Sequence, residues 1–396
     1  MTDAAVRTVD TAERRTRLVR RHLLGGPPAA VPPLDVARTL VALHSTDPAS
    51  VFLSVAARST ATSADVEQAL YEDRSLLRMF GMRRTVFVFP ADFAPVVHSS
   101  TTAAIAAKER REMLKLGFGD GTVPDAWLDE VEASVVAQLA GLPDASSAEL
   151  AELEPRLRET LVYGVGTKWE TEQAASMRVL RKLSMDGAIV RGRPRGSWTS
   201  SQYRWSAAEP HPDAPADAAR ADLVRAWLGA FGPGTEADVK WWTGWTLTQA
   251  RAALKAVNAV PVALLGPDGS AAGTGYVLPD DVDPVTDGTA PRAALLPALD
   301  PTPMGWQQRD WYLDEACRTE LFDRSGNIGP SVWWQGRIVG GWAQRADGSV
   351  VWRLLADAGA EAEASVAAEA ERLGAWIGGV RVTPRFRTPL ERDLTA

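Results

Sequence analysis

One stretch restricts this chain more than any other: an apolar helical face that stops at a glycine and passes directly into a strand, a basic turn and a second strand. Met177, Leu180 and Leu183 share one face of a helix that Gly187 ends, and Ile189-Val190 begins a strand. Arg191-Gly-Arg193-Pro-Arg195-Gly196 then forms a turn before an alternating segment from Trp198 to Trp205. Helix, strand, basic turn, strand is the order of a winged helix. Such a helix suits a major groove and such a hairpin offers cations to neighbouring phosphates, so double-stranded DNA is the expected partner.

With 396 residues, 45% of them hydrophobic, the chain exceeds one small core and is expected to form several domains. No apolar run approaches the ~20 residues of a membrane span, and no N-terminal apolar segment with a cleavage site reads as a signal peptide. The expectation is a cytoplasmic monomer associated with the nucleoid. A single cysteine, Cys317, excludes an internal disulfide framework and a cysteine-based zinc site. His22, His98 and His211 have no metal-ligand spacing, and no glycine-rich phosphate loop precedes a lysine, so neither metal nor cofactor is expected.

The net charge of −7 argues against a generally basic nucleic-acid binder, but the charges are segregated. Six cations lie between Arg181 and Arg204 against the lone carboxylate of Asp186, and Arg14 to Arg21 contains five arginines. Acidic residues crowd Asp120 to Glu159 and Asp280 to Asp287. One basic face on an acidic particle is the expected result.

The pattern divides into four blocks. Residues 10–100 contain an arginine-rich amphipathic helix, a turn at Gly25-Gly-Pro-Pro28, helices near Leu34 to Leu43, Val51 to Arg58 and Asp65 to Tyr71, and the strand Thr85 to Phe89, as a first winged helix. Residues 101–206 carry a capping box at Ser146-Ser147-Ala148-Glu149 and end in the basic wing. A linker from Ala207 to Ala218 precedes a helical third block, 219–258, the core of a third winged helix. Residues 259–396 are strand-rich, with one Ala/Glu-rich helix near Glu361 to Ile377. Most of the 15 tryptophans lie after Trp227 and are expected to pack in the core, although Trp306, Trp311 and Trp334 can also stack on a base or an aromatic adduct.

Four further segments narrow the reading: Phe231-Gly-Pro-Gly-Thr-Glu-Ala-Asp-Val-Lys-Trp-Trp242, Leu295-Leu-Pro-Ala-Leu-Asp300-Pro301, Asn327-Ile-Gly-Pro330 with Gly336-Arg-Ile-Val-Gly-Gly-Trp342, and Arg381-Val-Thr-Pro-Arg-Phe-Arg387. In that order and spacing the chain resembles, over nearly its whole length, the bacterial winged-helix family that contains the AlkZ and YcaQ DNA glycosylases. The resemblance implies an α+β fold in which tandem winged-helix domains and a β-rich C-terminal domain form a C-shaped clamp around DNA. It also implies removal of N-alkylated or crosslinked bases. The family's catalytic motif is glutamine, any residue, then glutamine or aspartate, after a helix of the first domain. Here Leu43-His44-Ser45-Thr46-Asp47-Pro48 occupies that slot, so His44 and Thr46 stand at the two motif positions and depart from the pattern. The resemblance further suggests Asp300, Arg309 and Asn327 as walls of a lesion cavity.

These residues can still serve the chemistry. A guanine alkylated at N7 is already cationic and leaves with little acid assistance, so the enzyme must hold the sugar, stabilise positive charge and aim a water. Neutral His44 can take a proton from that water while the Thr46 hydroxyl positions it, and Asp47 can orient the imidazole or offset developing charge. A protonated His44 would oppose the oxocarbenium ion, so this scheme predicts activity falling at acid pH. Absence of a lysine from the slot points to monofunctional hydrolysis rather than Schiff-base lyase chemistry. Arg83, Arg84, Arg191, Arg193, Arg195 and Arg204 are the expected DNA contacts. The leading expectation is a DNA glycosylase acting in alkylation repair or in self-resistance to a genotoxic product. The alternatives are a noncatalytic winged-helix DNA-binding protein, acting as a regulator or a lesion shield, and a tryptophan-rich domain that sequesters an aromatic toxin.

Overall fold

The computed structural model describes residues 6–118, 122–164, 166–209, 211–212, 214–286 and 288–396. Asp120 and Asp287 of the acidic runs, and Pro210 and Asp213 of the linker, lie outside the described residues.

The architecture mixes helices with small antiparallel sheets. In the first block, Asp10 caps the helix Thr11–Arg21 by accepting the Glu13 N–H. Apart from the exposed Arg20, its arginines are not the solvated basic face that their spacing suggests. Arg14 and Arg17 are buried, Arg17 and Arg21 pair with Asp281, and the Arg14 guanidinium lies 4.1 Å from the Trp311 ring centre. The run of arginines therefore ties the first block to the C-terminal one. Helices Pro33–Thr39, Pro48–Ala56 and Ser63–Glu67 follow, and every residue of the second is buried.

Three strands complete this block, in the order Leu43–His44, Val86–Pro90, Leu76–Phe80, all antiparallel. The register places Leu43 and Arg78 on either side of Val88, and His44 and Met79 on either side of Phe87. Because side chains alternate across a strand, His44 and Arg78 project to opposite faces of this sheet.

The second block has a core of its own, from Met113 to Trp205. It comprises the helices Asp125–Ala140 and Ser147–Leu153, the hairpin Thr160–Tyr163 with Thr171–Ala174, the helix Ala175–Asp186, and the strand pair Ile189–Arg191 with Trp205–Ala207. The expected order helix, strand, turn, strand is present, and Gly187 ends the helix at φ 78°, where glycine adopts the left-handed conformation without steric penalty. Two details differ from expectation. Met177 is 64% exposed, and the apolar face consists of Val179, Leu180 and Leu183. The segment from Trp198 to Arg204 is not strand, because Trp198 turns away to stack 5.1 Å from Phe52 and to meet Trp376 edge-on at 5.9 Å. The basic turn is thereby held against the body of the protein.

Helices Ala216–Phe231, Glu236–Thr243 and Leu247–Ala256 lead into the strand-rich region. There, Ala293–Leu296, Ser331–Trp334, Arg337–Gln344 and Val350–Leu354 form an antiparallel meander backed by the helix Gly359–Ile377. At Gly340 a Cβ atom would come within 2.1 Å of the Arg353 carbonyl, so the meander requires glycine there. A second sheet pairs Val260–Leu265 with Ala271–Val277 and, in parallel, with Thr8–Val9 from the N-terminus. Two large cores each combine residues of the first block with residues of the strand-rich region. Trp306, Trp311 and Trp334 are buried, and the first two pack with Tyr312, Trp333 and Phe231 as core. No helix among the described residues is long and apolar enough to cross a membrane.

Candidate active site and nucleic-acid interface

The slot at 44–47 lies between the short strand Leu43–His44 and the helix Pro48–Ala56. His44 is 7% exposed, with its ring edge-on to Phe87 at 5.0 Å. Burial, aided by the nearby charge of Arg83, pushes the imidazole down to about 3, so the ring is neutral throughout the ordinary pH range. The Thr46 N–H donates to Nδ1 at 3.4 Å, which leaves the ring proton on Nε2. Thr46 itself is half-buried.

Asp47 caps the helix. One carboxylate oxygen accepts the Ala49 N–H at 3.1 Å and the other accepts the Arg385 N–H at 2.9 Å. Burial raises the Asp47 carboxyl, and these hydrogen bonds and the Arg385 charge partly counter it. Both oxygens are thus bound to backbone rather than to the imidazole, contrary to the orienting role expected for Asp47. The segment Arg381 to Arg387 gains a physical role here, because it delivers the Arg385 N–H to the slot.

Arg83 and Arg84 form the tip of the hairpin beside His44, with φ angles of 55° and 60°. This left-handed backbone is uncommon for arginine and turns the two side chains apart. The Arg83 guanidinium sits 4.3 Å from the Trp241 ring centre, and the tip packs on the left-handed Gly244 that ends the helix Glu236–Thr243. Arg84 instead pairs with Glu109 at 3.0 Å and Glu112 at 3.3 Å. Arg309 lies 5.1 Å from both the Trp241 and Phe322 rings, so Trp241 carries two guanidinium groups.

The other two suggested cavity residues are placed differently. Asp300 is completely buried, and its carboxylate accepts two Arg58 N–H groups at 2.7 and 2.8 Å and the Ser54 hydroxyl at 2.7 Å. An oxygen so enclosed faces the core, not a lesion. Asn327 shapes a turn, donating its side-chain N–H to Asp323 at 2.8 Å.

The wing arginines fall into two groups. Arg193 pairs with Glu67 at 2.5 Å and Glu72 at 2.9 Å, Arg195 with Glu149 at 2.9 Å, and Arg204 with Asp144 at 2.5 Å and Glu149 at 2.9 Å. Arg191 has no carboxylate partner among the described residues and lies among the rings of Phe80, Tyr203 and Trp205 at 5.2 to 5.4 Å. Three participants in these clusters were not singled out from sequence: Arg78, Tyr203 and Trp241. A usable signal was present at Arg78, a charge inside the apolar strand Leu76-Leu77-Arg78-Met79-Phe80. Among the described residues no group of three or more His, Cys, Asp or Glu side chains is placed to hold a metal ion.

Comparison with known proteins agrees with this organisation. A family model described as DNA glycosylase AlkZ-like matches residues 36–376. Among solved structures, the DNA glycosylase AlkZ of Streptomyces sahachiroi shares the fold at a TM-score of 0.67 and 20% identity, over 93% of this chain and 97% of that one. No curated protein matches the chain in sequence.

Proposed function

The chain belongs to the AlkZ-like DNA glycosylase family, and from that premise we propose that it hydrolyses the N-glycosidic bond of bulky or N7-alkylated purines in duplex DNA. On this reading it is a monofunctional enzyme that protects its host from alkylation damage, including that of a genotoxic natural product. The fold would act as a monomeric C-shaped clamp of tandem winged helices at 10–100, 101–206 and 219–258, with the strand-rich 259–396 domain, in the cytoplasm beside the nucleoid.

The observation that carries this reading is the neutral His44 in the motif slot. Its Nδ1 is the basic nitrogen and accepts the Thr46 N–H at 3.4 Å, and on this reading the Thr46 hydroxyl holds the attacking water. Water attacks C1′ as the bond to the purine breaks, its proton passes to Nδ1 once the long Thr46 N–H contact opens, and the electron pair of the broken bond neutralises the alkylpurinium. Asp47, fixed by two backbone N–H groups, contributes negative charge that offsets the oxocarbenium ion. Arg83, Arg191 and Arg309 are the first DNA and lesion contacts on this reading, since aromatic rings rather than carboxylates hold them.

The test is a single-turnover reaction on a duplex with one N7-methylguanine, followed by alkali to break abasic sites. Wild type should release the base, and His44→Ala should slow release by on the order of 10²-fold or more. A second reading, noncatalytic DNA binding, is favoured by one observation: Nδ1 and both Asp47 oxygens already have backbone partners. Tight binding without any release would establish it.

A further inference from the structure

Between the strands Leu76–Phe80 and Ile189–Arg191 lies a cavity of about 270 Å³ walled by Arg74, Arg78, Arg191 and Arg193, with Tyr71 and Ser206. Its acidic wall residues are already occupied, Glu72 by Arg193 and Asp144 by Arg204. Arg74, Arg78 and Arg191 have no carboxylate partner among the described residues. Arg78 is 2% exposed, yet its Nε and Nη2 atoms have no hydrogen-bond acceptor, and neither does Arg191 Nε. The nearby Tyr203 hydroxyl is also unpartnered, while its ring lies 4.6 Å from the Arg78 guanidinium and 5.2 Å from that of Arg191.

A buried cation without a counter-ion is unfavourable, and a ring face offsets only part of the cost. Orphan N–H donors on two converging guanidinium groups specify the missing partner: a compact oxyanion able to accept several charge-assisted hydrogen bonds. We propose that this cavity seats a backbone phosphodiester of the bound duplex, with Arg78 and Arg191 donating to its oxygens and Arg74 adding charge at the rim. The assignment rests on the reading of DNA as substrate. It is favoured over a free anion by position, because the cavity opens where the strand Leu76–Phe80 of the first block meets the wing strand Ile189–Arg191. Tyr203 belongs to the irregular part of the wing, so displacement of its ring exposes the donors without breaking a strand.

Two measurements test the seat. Binding of a fluorescein-labelled undamaged duplex is followed through a salt titration for wild type, Arg191→Gln, Arg74→Gln and Arg78→Met, with Arg353→Gln as a surface control. Thermal unfolding of each is measured with inorganic phosphate and with chloride at equal ionic strength. The seat predicts that Arg191→Gln and Arg78→Met each lower the slope of log K against log salt by about 1. It also predicts phosphate-specific stabilisation of wild type that is lost in Arg191→Gln. Unchanged slopes in variants that unfold at the wild-type temperature overturn it, and so does phosphate stabilisation combined with unchanged slopes, which would assign the cavity to a free anion. Failure of wild type to bind duplex at all would instead sink the glycosylase reading, a result distinct from wild type and variants binding alike.

Discussion

Arg58 and Arg78 are both buried arginines of the first block, yet one is saturated with partners and the other almost bare. Arg58 donates to the His22 and Ser54 carbonyls, to both Asp300 oxygens and to the Thr302 hydroxyl, at 2.7 to 3.0 Å. That uses all five of its N–H donors. Arg78 makes one hydrogen bond, to the Tyr71 hydroxyl at 3.3 Å, and otherwise faces the Tyr203 ring. The difference separates two uses of a buried cation. A guanidinium whose charge and donors are consumed by its own protein joins segments, here the first block, Ala230 through His22, and the 300–302 turn. A guanidinium left with open donors awaits something the chain does not supply.

The largest expected effect tests this contrast through stability. Asp300→Asn leaves the Arg58 charge buried and uncompensated, and should cost about 3–5 kcal/mol, read as a lowered urea midpoint. Arg78→Met removes a charge that has no counter-ion, so it should be neutral or stabilising in the absence of DNA. If Arg78→Met destabilises as much as Asp300→Asn, the two arginines do the same job and the contrast fails.

A second prediction concerns the two buried imidazoles. His22 is pushed down to about 3, by burial first and by Arg58 next, and His44 to about 3 by burial and Arg83. Both lie below the unfolded value near 6.5, so between about pH 6.5 and 3 the unfolded chain binds protons that the native one refuses. Stability is complete above about pH 6.5 and falls with acidification by roughly 1.4 kcal/mol per pH unit for each histidine. At pH 5 each should cost about 2 kcal/mol. His44→Ala should therefore unfold with a shallower pH dependence than wild type. The same values shift the catalytic expectation: activity should not fall through pH 6.5, as a solvated imidazole would require, and its acid limb belongs near the native value. A rate that halves near pH 6.5 while the protein stays folded would show that His44 titrates normally.

What could be read from the sequence follows the range of the interactions involved. The helix ending at Gly187 and the capping box in which Ser146 and Glu149 exchange hydrogen bonds are local, and both are present as expected. The arginines of Thr11–Arg21 read as a solvated face because their partner Asp281 lies more than 250 residues away. Trp198 fits a strand by its neighbours, but Phe52 and Trp376 take it elsewhere. The slot at 44–47 was legible through its motif position, whereas the depressed imidazole and the Asp47–Arg385 contact depend on burial by segments distant in sequence. Wing arginines looked free for the same reason that Arg78 looked unimportant: pairing is a property of the fold.

The smallest expected effect asks whether the paired wing cations are held in reserve or are simply structural. Arg195 and Arg204 both meet Glu149, a surface carboxylate whose ion pairs are worth little in stability. Its carboxyl is held down to about 2, first by its hydrogen bonds with Ser146 and then by the Arg204 guanidinium. Glu149→Gln keeps a side chain able to accept the Ser146 N–H, so the helix cap survives while the charge is lost. If the wing reaches DNA, freeing Arg195 and leaving Arg204 with Asp144 alone should strengthen duplex binding a few-fold at low salt and steepen its salt dependence, with little change in unfolding temperature. Equal affinity in wild type and variant would mean that the wing cations serve the fold alone, leaving the ring-held arginines Arg83 and Arg191 to meet the phosphates.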